Sequence, residues 1–507
     1  MKDKISNIGQ LKIGAILSYI LIASNTLYGL IITPYVLSAL GTIEYGVYST
    51  IASFASSLLI MDLGIGTTVQ RYTAKYRAEN DKASIGNFAA IGLLEAAVMV
   101  VIVCVVAFVI YNLMDYLYGK TFSDNELLLA KCIFVIFIMN ICITFFEHIF
   151  YGLITGYNRF VFANSVKLSI LLLRSALIFV ILKFFPSAIS LVSISLGLSI
   201  LIMIVFIYYV VVVMQIKIKL RQWNNALFTE SLTYTALMFI QTIAAQANGN
   251  IDNIVIGAII GPAAVTVYTF GIQFFNMYEM LATSLSNVML PTVSMKIAQG
   301  ANDDDMQRLV TMVGRVQFML LGTALAGFLC LGDEFIYLWL GEGFDDVYPL
   351  ALILMFPVTF TLIQNVCLSI LRARNMMQFR TLSLITTAII NAAITIIGTK
   401  LFGYYAAALG TAISILLGSI IMMNVYYHYR IGFRVLKFYR DVFNRLLFCI
   451  LIPAMTIYLL KPYIYGGWLA FLIKASIFLM IWGGLLMFYG MNRDEKAMIL
   501  RWRFVKA

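Results

Sequence analysis

Charge is scarce in this chain. Only 12% of its 507 residues are Asp, Glu, Lys or Arg, about half the share of a soluble domain, which excludes an ordinary water-facing surface over most of the length. Proline is sparse too, at 8 residues, so long helices can run with few breaks. The two histidines, His148 and His428, are too few for a histidine-built metal centre or a recognisable triad. Six cysteines (Cys104, Cys132, Cys142, Cys330, Cys367 and Cys449) sit singly inside apolar runs with no C-x-x-C pair. That supports neither a disulfide framework nor a zinc site, and they read as small core residues. No G-x-x-x-x-G-K-[ST] motif occurs, so direct ATP drive by this chain is not expected. No catalytic constellation and no metal-ligand set is legible.

What fills the space is apolar: 62% of the residues are hydrophobic and 14% aromatic. Fourteen windows of about 20 apolar residues recur along the chain, each long enough to cross roughly 30 Å of hydrocarbon as a helix. Their centres lie near Leu27, Ser56, Val100, Ile138, Leu171, Leu201, Ala244, Tyr278, Leu321, Phe360, Ile390, Leu417, Leu451 and Leu479. The first window is longer than the 7 to 15 residues of a signal-peptide core, so it is expected to stay as a span. The fold class is therefore an all-α polytopic membrane protein of about 14 transmembrane helices. No soluble domain fits between them.

The +11 net charge follows membrane topology rather than nucleic-acid binding. Twenty-five Lys and Arg fall in alternate loops and the two ends of the chain, whereas the opposite loops hold only Lys120, Lys183, Lys400 and Lys461. By the excess of cations in cytoplasmic loops, both termini are expected in the cytoplasm. The acidic run Asp303 to Asp305 is placed in a cytoplasmic loop, and Asp333 and Glu334 in an outer one. An offset of 220 residues aligns G41-T-I-E-Y-G-V-Y-S with G261-P-A-A-V-T-V-Y-T, and this offset equals six spans. The expected organisation is an N-terminal lobe at 1–214 (spans 1–6), a cytoplasmic linker at 215–228, a pseudo-symmetric C-terminal lobe at 229–430 (spans 7–12), and spans 13 and 14 with the tail at 431–507.

Charges at the centre of a span cost roughly 2.5 to 3.5 kcal/mol each on insertion scales. Glu95, Glu147, Lys167, Arg174, Asp252, Glu279 and Arg315 are such residues, and most are expected to face protein or a water-filled cavity. On span 5, Asn164, Lys167 and Arg174 share one helical face, with the two cations about 10 Å apart along the axis. Two readings stand side by side: each cation neutralises a buried carboxylate, or the stripe lines a positive cavity for an anionic ligand, with Arg315 contributing from the other half. Arginine suits phosphate because its planar fork donates paired hydrogen bonds. Span 7 offers Gln241, Asn248 and Asp252 along one face, and span 8 offers Gln273, Asn276 and Glu279. Such amides serve equally as glue between helices or as a sugar-binding lining. Asp62 and Arg71 near the inner end of span 2 suggest a gate pair or a surface anchor. Lys131, Arg445 and Lys474 read as snorkelling cations.

Three stretches resemble a known family: L40-G-T-I-E-Y-G-V-Y-S continuing to M61-D-L-G-I-G-T-T-V-Q-R-Y, then I251-D-N-I-V-I-G-A-I-I-G-P-A-A-V-T-V-Y, and M289-L-P-T. They resemble the bacterial polysaccharide repeat-unit flippases (O-antigen translocases, Wzx-type) of the multidrug, oligosaccharidyl-lipid and polysaccharide exporter superfamily. The resemblance implies two six-helix lobes around a cavity that opens alternately to each side of the bacterial inner membrane. It implies a lipid-linked substrate, an undecaprenyl-diphosphate oligosaccharide for O-antigen or capsule, whose tail stays in the bilayer. Lys167, Arg174 and Arg315 would hold the diphosphate, with Asn25, Asn164, Asn248, Gln273 and Asn276 lining the lumen. Glu95, Glu147, Asp252 and Glu279 would balance charge or bind a coupling proton or sodium ion, and no other cofactor is implied. A polysaccharide polymerase and a chain-length regulator are the implied protein partners. The peptidoglycan-precursor flippases of the superfamily carry arginines in the first span. Here that span offers only Ser18 and Asn25, which lowers that reading. The alternatives are a cation-coupled drug exporter of the same superfamily, or an integral-membrane polymerase or ligase of the sugar pathway.

Overall fold

The computed structural model describes residues 2–59, 64–220, 250–300, 302–374, 376–464, 466–493 and 495–496. Among them the chain is helical. In order come α1 (Lys2–Leu59), α2 (Ile65–Ala78), α3 (Lys82–Tyr118), α4 (Asp124–Gly156), α5 (Phe160–Phe184), α6 (Ala188–Tyr208) and α7 (Asn250–Ile259). There follow α8 (Pro262–Ala298), α9 (Asp303–Leu340), α10 (Val347–Leu362), α11 (Val366–Ala373), α12 (Gln378–Phe402), α13 (Tyr404–Ser414), α14 (Met423–Ile431), α15 (Val435–Phe443), α16 (Leu446–Leu460) and α17 (Gly467–Leu485). Wide π-helical turns extend three of these: Tyr209–Val213 after α6, Ile415–Met422 joining α13 to α14, and Leu486–Gly490 after α17.

Among the described residues, nine helices are long and apolar enough to span a membrane, and two bent pairs, α10 with α11 and α15 with α16, bring this to eleven. The first two expected spans share α1. Its Ile20–Leu59 segment of 40 residues would reach about 60 Å if straight, twice the hydrocarbon thickness. Gly41 breaks it at φ 75°, ψ 168°, a region essentially closed to other residues. The expected seventh span, centred near Ala244, lies largely outside the described residues. Large apolar side chains such as Phe108, Phe184 and Phe488 stand exposed on the helices, as a hydrocarbon-facing surface requires.

The chain forms two compact units, 1–266 and 267–507. In the first, α4 packs on α2, α3 and α6, and α5 packs on α1 and α6. The Gly41 corner carries structure as well as direction. Glu44, just beyond it, accepts hydrogen bonds from the Ala188 amide at 2.6 Å and the Ser187 hydroxyl at 3.0 Å, so a motif carboxylate caps α6 where free helix amides need an acceptor. The matching corner Gly261 has φ 125°. The two repeat copies touch within this unit: Thr266 Oγ1 donates to Thr42 O at 2.6 Å, and a Cβ on Gly46 would overlap Pro262 O. Helix α7 joins the same seam, where Asn253 donates to Ser53 Oγ at 3.0 Å and Tyr118 to Ile254 O at 3.2 Å.

In the second unit, α9 is the central post, packed by α10, α15, α16 and α17. Two expectations are corrected here, both because α9 is longer than the apolar window. Asp303 to Asp305 form its first turn behind the cap Asn302, where acidic groups complement the helix dipole. Asp303 and Asp304 also pair with Arg374 at 3.0 Å and Arg434 at 3.2 Å. Asp333 and Glu334 sit in the last turns of α9 rather than in a loop. Lys474 does not snorkel: it is buried on α17 and paired with Glu334.

Candidate functional site

The polar face of α5 is the feature of the first unit that most needs a function. Asn164 is buried and donates to Ser18 Oγ at 2.8 Å, and Tyr35 donates to Phe179 O at 2.9 Å. Together they fasten α5 against α1 and fix which way its cations point. One turn beyond Asn164, Lys167 places its ammonium 3.8 Å from the centroid of the Tyr151 ring on α4. The buried carboxylate of Glu147, one turn earlier on α4, lies within the same electrostatic neighbourhood. Two turns further along α5, Arg174 stands 5.4 Å from the Tyr28 ring centroid, with Tyr48 also in its field.

Lys167 and Arg174 are therefore differently placed. Lys167 shares its surroundings with the Glu147 carboxylate. Arg174 has no carboxylate partner among the described residues, and its Nε is buried without a hydrogen-bond acceptor. An orphaned buried donor costs about 1–3 kcal/mol, more than the 0.5–1 kcal/mol or so of a tyrosine ring beneath it returns. The geometry leaves the Arg174 Nε open to an acceptor.

Tyr28, Tyr48 and Tyr151 were not singled out by the sequence, and they line this stripe. Tyr48 continues into Phe137, ring centroids 5.8 Å apart, and Tyr45, 6.1 Å apart. Rings with a polar tip suit a hydroxyl-rich ligand with apolar ring faces. The signal available was the Tyr45–Tyr48 spacing on the helix that faces α5, lost among 29 tyrosines.

The remaining expected residues scatter. Asn25 is exposed on α1 and donates to Leu21 O of its own helix, so nothing ties it to the cations. Glu95 is half-buried on α3, and Asp252 is fully buried on α7 beside the repeat seam. Arg71 is exposed on α2, its guanidinium over the Tyr72 ring at 6.0 Å. Asp62, its expected gate partner, lies outside the described residues, as does Asn248. In the second unit, Gln273 is half-buried and Asn276 exposed on α8. Glu279 shares its surroundings with Arg380 of α12.

Arg315 requires a correction. Its expected place was a substrate lumen, but its guanidinium is buried and saturated. Nε donates to Glu495 Oε1 at 2.6 Å and Nη2 to Glu495 Oε2 at 3.3 Å and Gly490 O at 2.9 Å. Nη1 donates to Asp441 O at 2.9 Å and Asn444 O at 3.3 Å. With all five donor positions of the fork used, Arg315 clamps the chain beyond the last span to α9 and α15 and has none left for a diphosphate.

The second unit also contains a cavity of about 540 Å³ between α8, α9 and α17, lined by apolar side chains including Phe274, Phe328, Phe335, Phe471, Phe478 and Trp482. Its chemistry suits a hydrocarbon chain and no charged group.

Comparison with known proteins follows the same lines. A family model described as polysaccharide biosynthesis protein matches residues 12–296, more than half of the chain. Among solved structures, the chain resembles a lipid II flippase MurJ in an inward closed conformation, with a TM-score of 0.70 at 16% identity over 94% of this chain and 98% of that one. It is similar to an inward-facing multidrug resistance MATE transporter of the MOP superfamily, with a TM-score of 0.69 at 14% identity over 85% and 99%. A MOP superfamily transporter from Pyrococcus furiosus, reported for the reverse polarity of its binding pocket, is similar with a TM-score of 0.51 at 13% identity over 84% and 94%. At such identities the likeness is one of fold. Among curated proteins, none matches the chain in sequence.

Proposed function

The chain belongs to the polysaccharide biosynthesis protein family, and from that premise we propose that it is a flippase for undecaprenyl-diphosphate-linked oligosaccharide repeat units, moving them from the cytoplasmic to the periplasmic leaflet for O-antigen or capsule assembly. The observation that carries this reading is Arg174, a guanidinium within a spanning helix whose buried Nε lacks an acceptor. A diphosphate supplies that acceptor, and Lys167, about 10 Å away along the same face, extends the positive field to the second phosphate or an acidic sugar. Tyr28, Tyr48 and Tyr151 offer ring faces to the sugars. The apolar cavity of the second unit supports a substrate with a hydrocarbon tail.

In this reading the protein performs no covalent chemistry. Glu147 neutralises Lys167 when the site is empty, so substrate phosphate and carboxylate compete for one cation. A carboxylate released in that way is a natural place for a coupling proton or sodium ion, with Glu95, Asp252 and Glu279 the other candidates. Both termini then lie in the cytoplasm of an inner-membrane protein, and the polymerase and chain-length regulator of the same pathway receive the product. A drug exporter for cationic compounds would meet repulsion at Arg174.

The test is the leaflet distribution of lipid-linked oligosaccharide in cells depleted of the protein, probed in right-side-out spheroplasts and inverted vesicles. Full-length intermediates held on the cytoplasmic face, released by the wild-type chain and not by Arg174→Ala, are the expected result. Unpolymerised single units on the periplasmic face would make the protein a polymerase, and an unchanged distribution would favour drug export. Normal transport by Lys167→Ala and Arg174→Ala chains would remove the cationic site while leaving the family intact.

A further inference from the structure

Helix α15 is a short amphipathic element with an unusual exposed face. It joins α16 at a bend of 47°. Phe438 and Val442 turn inward and are buried; the Phe438 ring packs so closely on Gly314 of α9 that an added Cβ there would meet it at 2.8 Å. Its outward face carries Leu436, Lys437 and Arg440. Leu436 is 87% exposed, an expensive place for leucine in water, among cations.

Between this face and the end of α14 lies a surface cavity of about 510 Å³ whose walls include Val425, Tyr429 and Leu436 on the apolar side and His428, Arg434 and Lys437 on the polar side. Tyr429 is 80% exposed. Arg434 is shared with Asp304 at 3.2 Å and remains more than half exposed. Among the described residues, neither Lys437 nor the neighbouring Arg430 has an ion-pair partner, Arg440 meets Asp441 at 3.7 Å, and Asp303 lies close to Gly432. With Arg434 and Arg440 each beside a carboxylate, Lys437 supplies the unpaired positive charge of the cavity, next to its apolar wall.

We propose that this cavity binds the headgroup of an anionic phospholipid, with Lys437 and Arg434 on the phosphate and Val425, Tyr429 and Leu436 along the first part of the acyl chain. A soluble phosphate would satisfy the cations and leave three exposed apolar side chains unexplained. An uncharged lipid would satisfy the apolar wall and leave the cations unexplained. Only an amphiphile with a negative head fits both halves of the cavity, and such heads lie where cations and apolar side chains meet at a bilayer surface. The site is built wholly from the second unit and does not involve the α5 cations.

The experiment uses the full chain in nanodiscs containing a trace of photoactivatable phosphatidylglycerol or, separately, photoactivatable phosphatidylcholine, with cross-links mapped by peptide mass spectrometry. Phosphatidylglycerol should label the segment 424–440, and phosphatidylcholine should not. Arg434→Gln/Lys437→Gln, which removes both cations lining the cavity, should lower that labelling about thirtyfold, from the attraction each cation near an anionic surface supplies. Leu436→Ser keeps every charge and should lower it as well. An unchanged unfolding midpoint in each variant shows that the loss is local. Equal labelling by the two lipids, or wild-type labelling in the double variant, overturns the proposal. Displacement of the label by inorganic phosphate would assign the cavity to a soluble anion and overturn the lipid.

Discussion

Breaking the Arg315–Glu495 clamp should loosen the last span without touching transport chemistry. Both side chains are buried, at 7% and 5% exposure, and the guanidinium also holds the carbonyls of Asp441, Asn444 and Gly490. Removing one partner of a buried pair costs about 3–5 kcal/mol, because the other charge is stranded. Replacing both by apolar residues of similar volume is commonly close to neutral, here less the three carbonyl bonds at about 1 kcal/mol each. Arg315→Leu and Glu495→Leu should therefore each destabilise by more than their share of the double variant, with a coupling of about 2 kcal/mol or more. Cys449 gives a local readout, since its thiol is buried against Leu485 and Gly490. A loss of 3 kcal/mol raises the locally open population by about a hundredfold. In a chain keeping Cys449 as its sole cysteine, maleimide labelling in membranes should accelerate by that order in each single variant and much less in the double. Unchanged labelling and an unchanged unfolding midpoint in Glu495→Leu would refute the clamp. Loss of transport by a well-folded double variant would return Arg315 to the substrate.

Other consequences are as direct. Gly46→Ala forces a methyl into Pro262 O and within 2.9 Å of Thr266 Oγ1, so it should cost about 1–3 kcal/mol, read as a lower unfolding midpoint; Gly197→Ala meets open space and should be neutral or better. Lys474→Met alone strands Glu334 and should sharply reduce folded yield, and Lys474→Met/Glu334→Leu should recover most of it, measured by size exclusion in detergent. Tyr278→Phe removes a hydroxyl that meets Thr359 Oγ1 at 2.7 Å and Leu321 O at 3.2 Å, for a loss of about 1 kcal/mol in thermal unfolding.

The span order was legible because bilayer thickness imposes a length on every apolar run, and the corner at Gly41 was legible through its copy at Gly261. What misled was the assumption that a helix ends where its apolar window ends. Helix α9 runs past its window at both ends, carrying Asp303 to Asp305 and Asp333 with Glu334 out of the expected loops. The site was legible in part: Lys167 and Arg174 share one face of α5, as their spacing requires. Their unlike surroundings depend on what α1 and α4 bring from across the packing, which residue spacing on one helix does not contain. Arg315 shows the limit most clearly, since its partner Glu495 is 180 residues away and carries no local sign of the pairing.

The wide turns at 209–213 and 486–490 end the helices they follow, whereas that at 415–422 lies inside the Tyr404–Ile431 span, between α13 and α14. A wide turn takes up about one residue more than an α-helical turn, so α14, beyond the turn at 415–422, presents a face rotated by about 100° from an uninterrupted count. Deleting a single residue from 415–422 would act as a rotation, swinging α14 away from its contacts with α12 and α15. Relatives of this chain are best aligned separately on either side of each wide turn, because a register carried straight through would mistake bilayer-facing positions for interior ones.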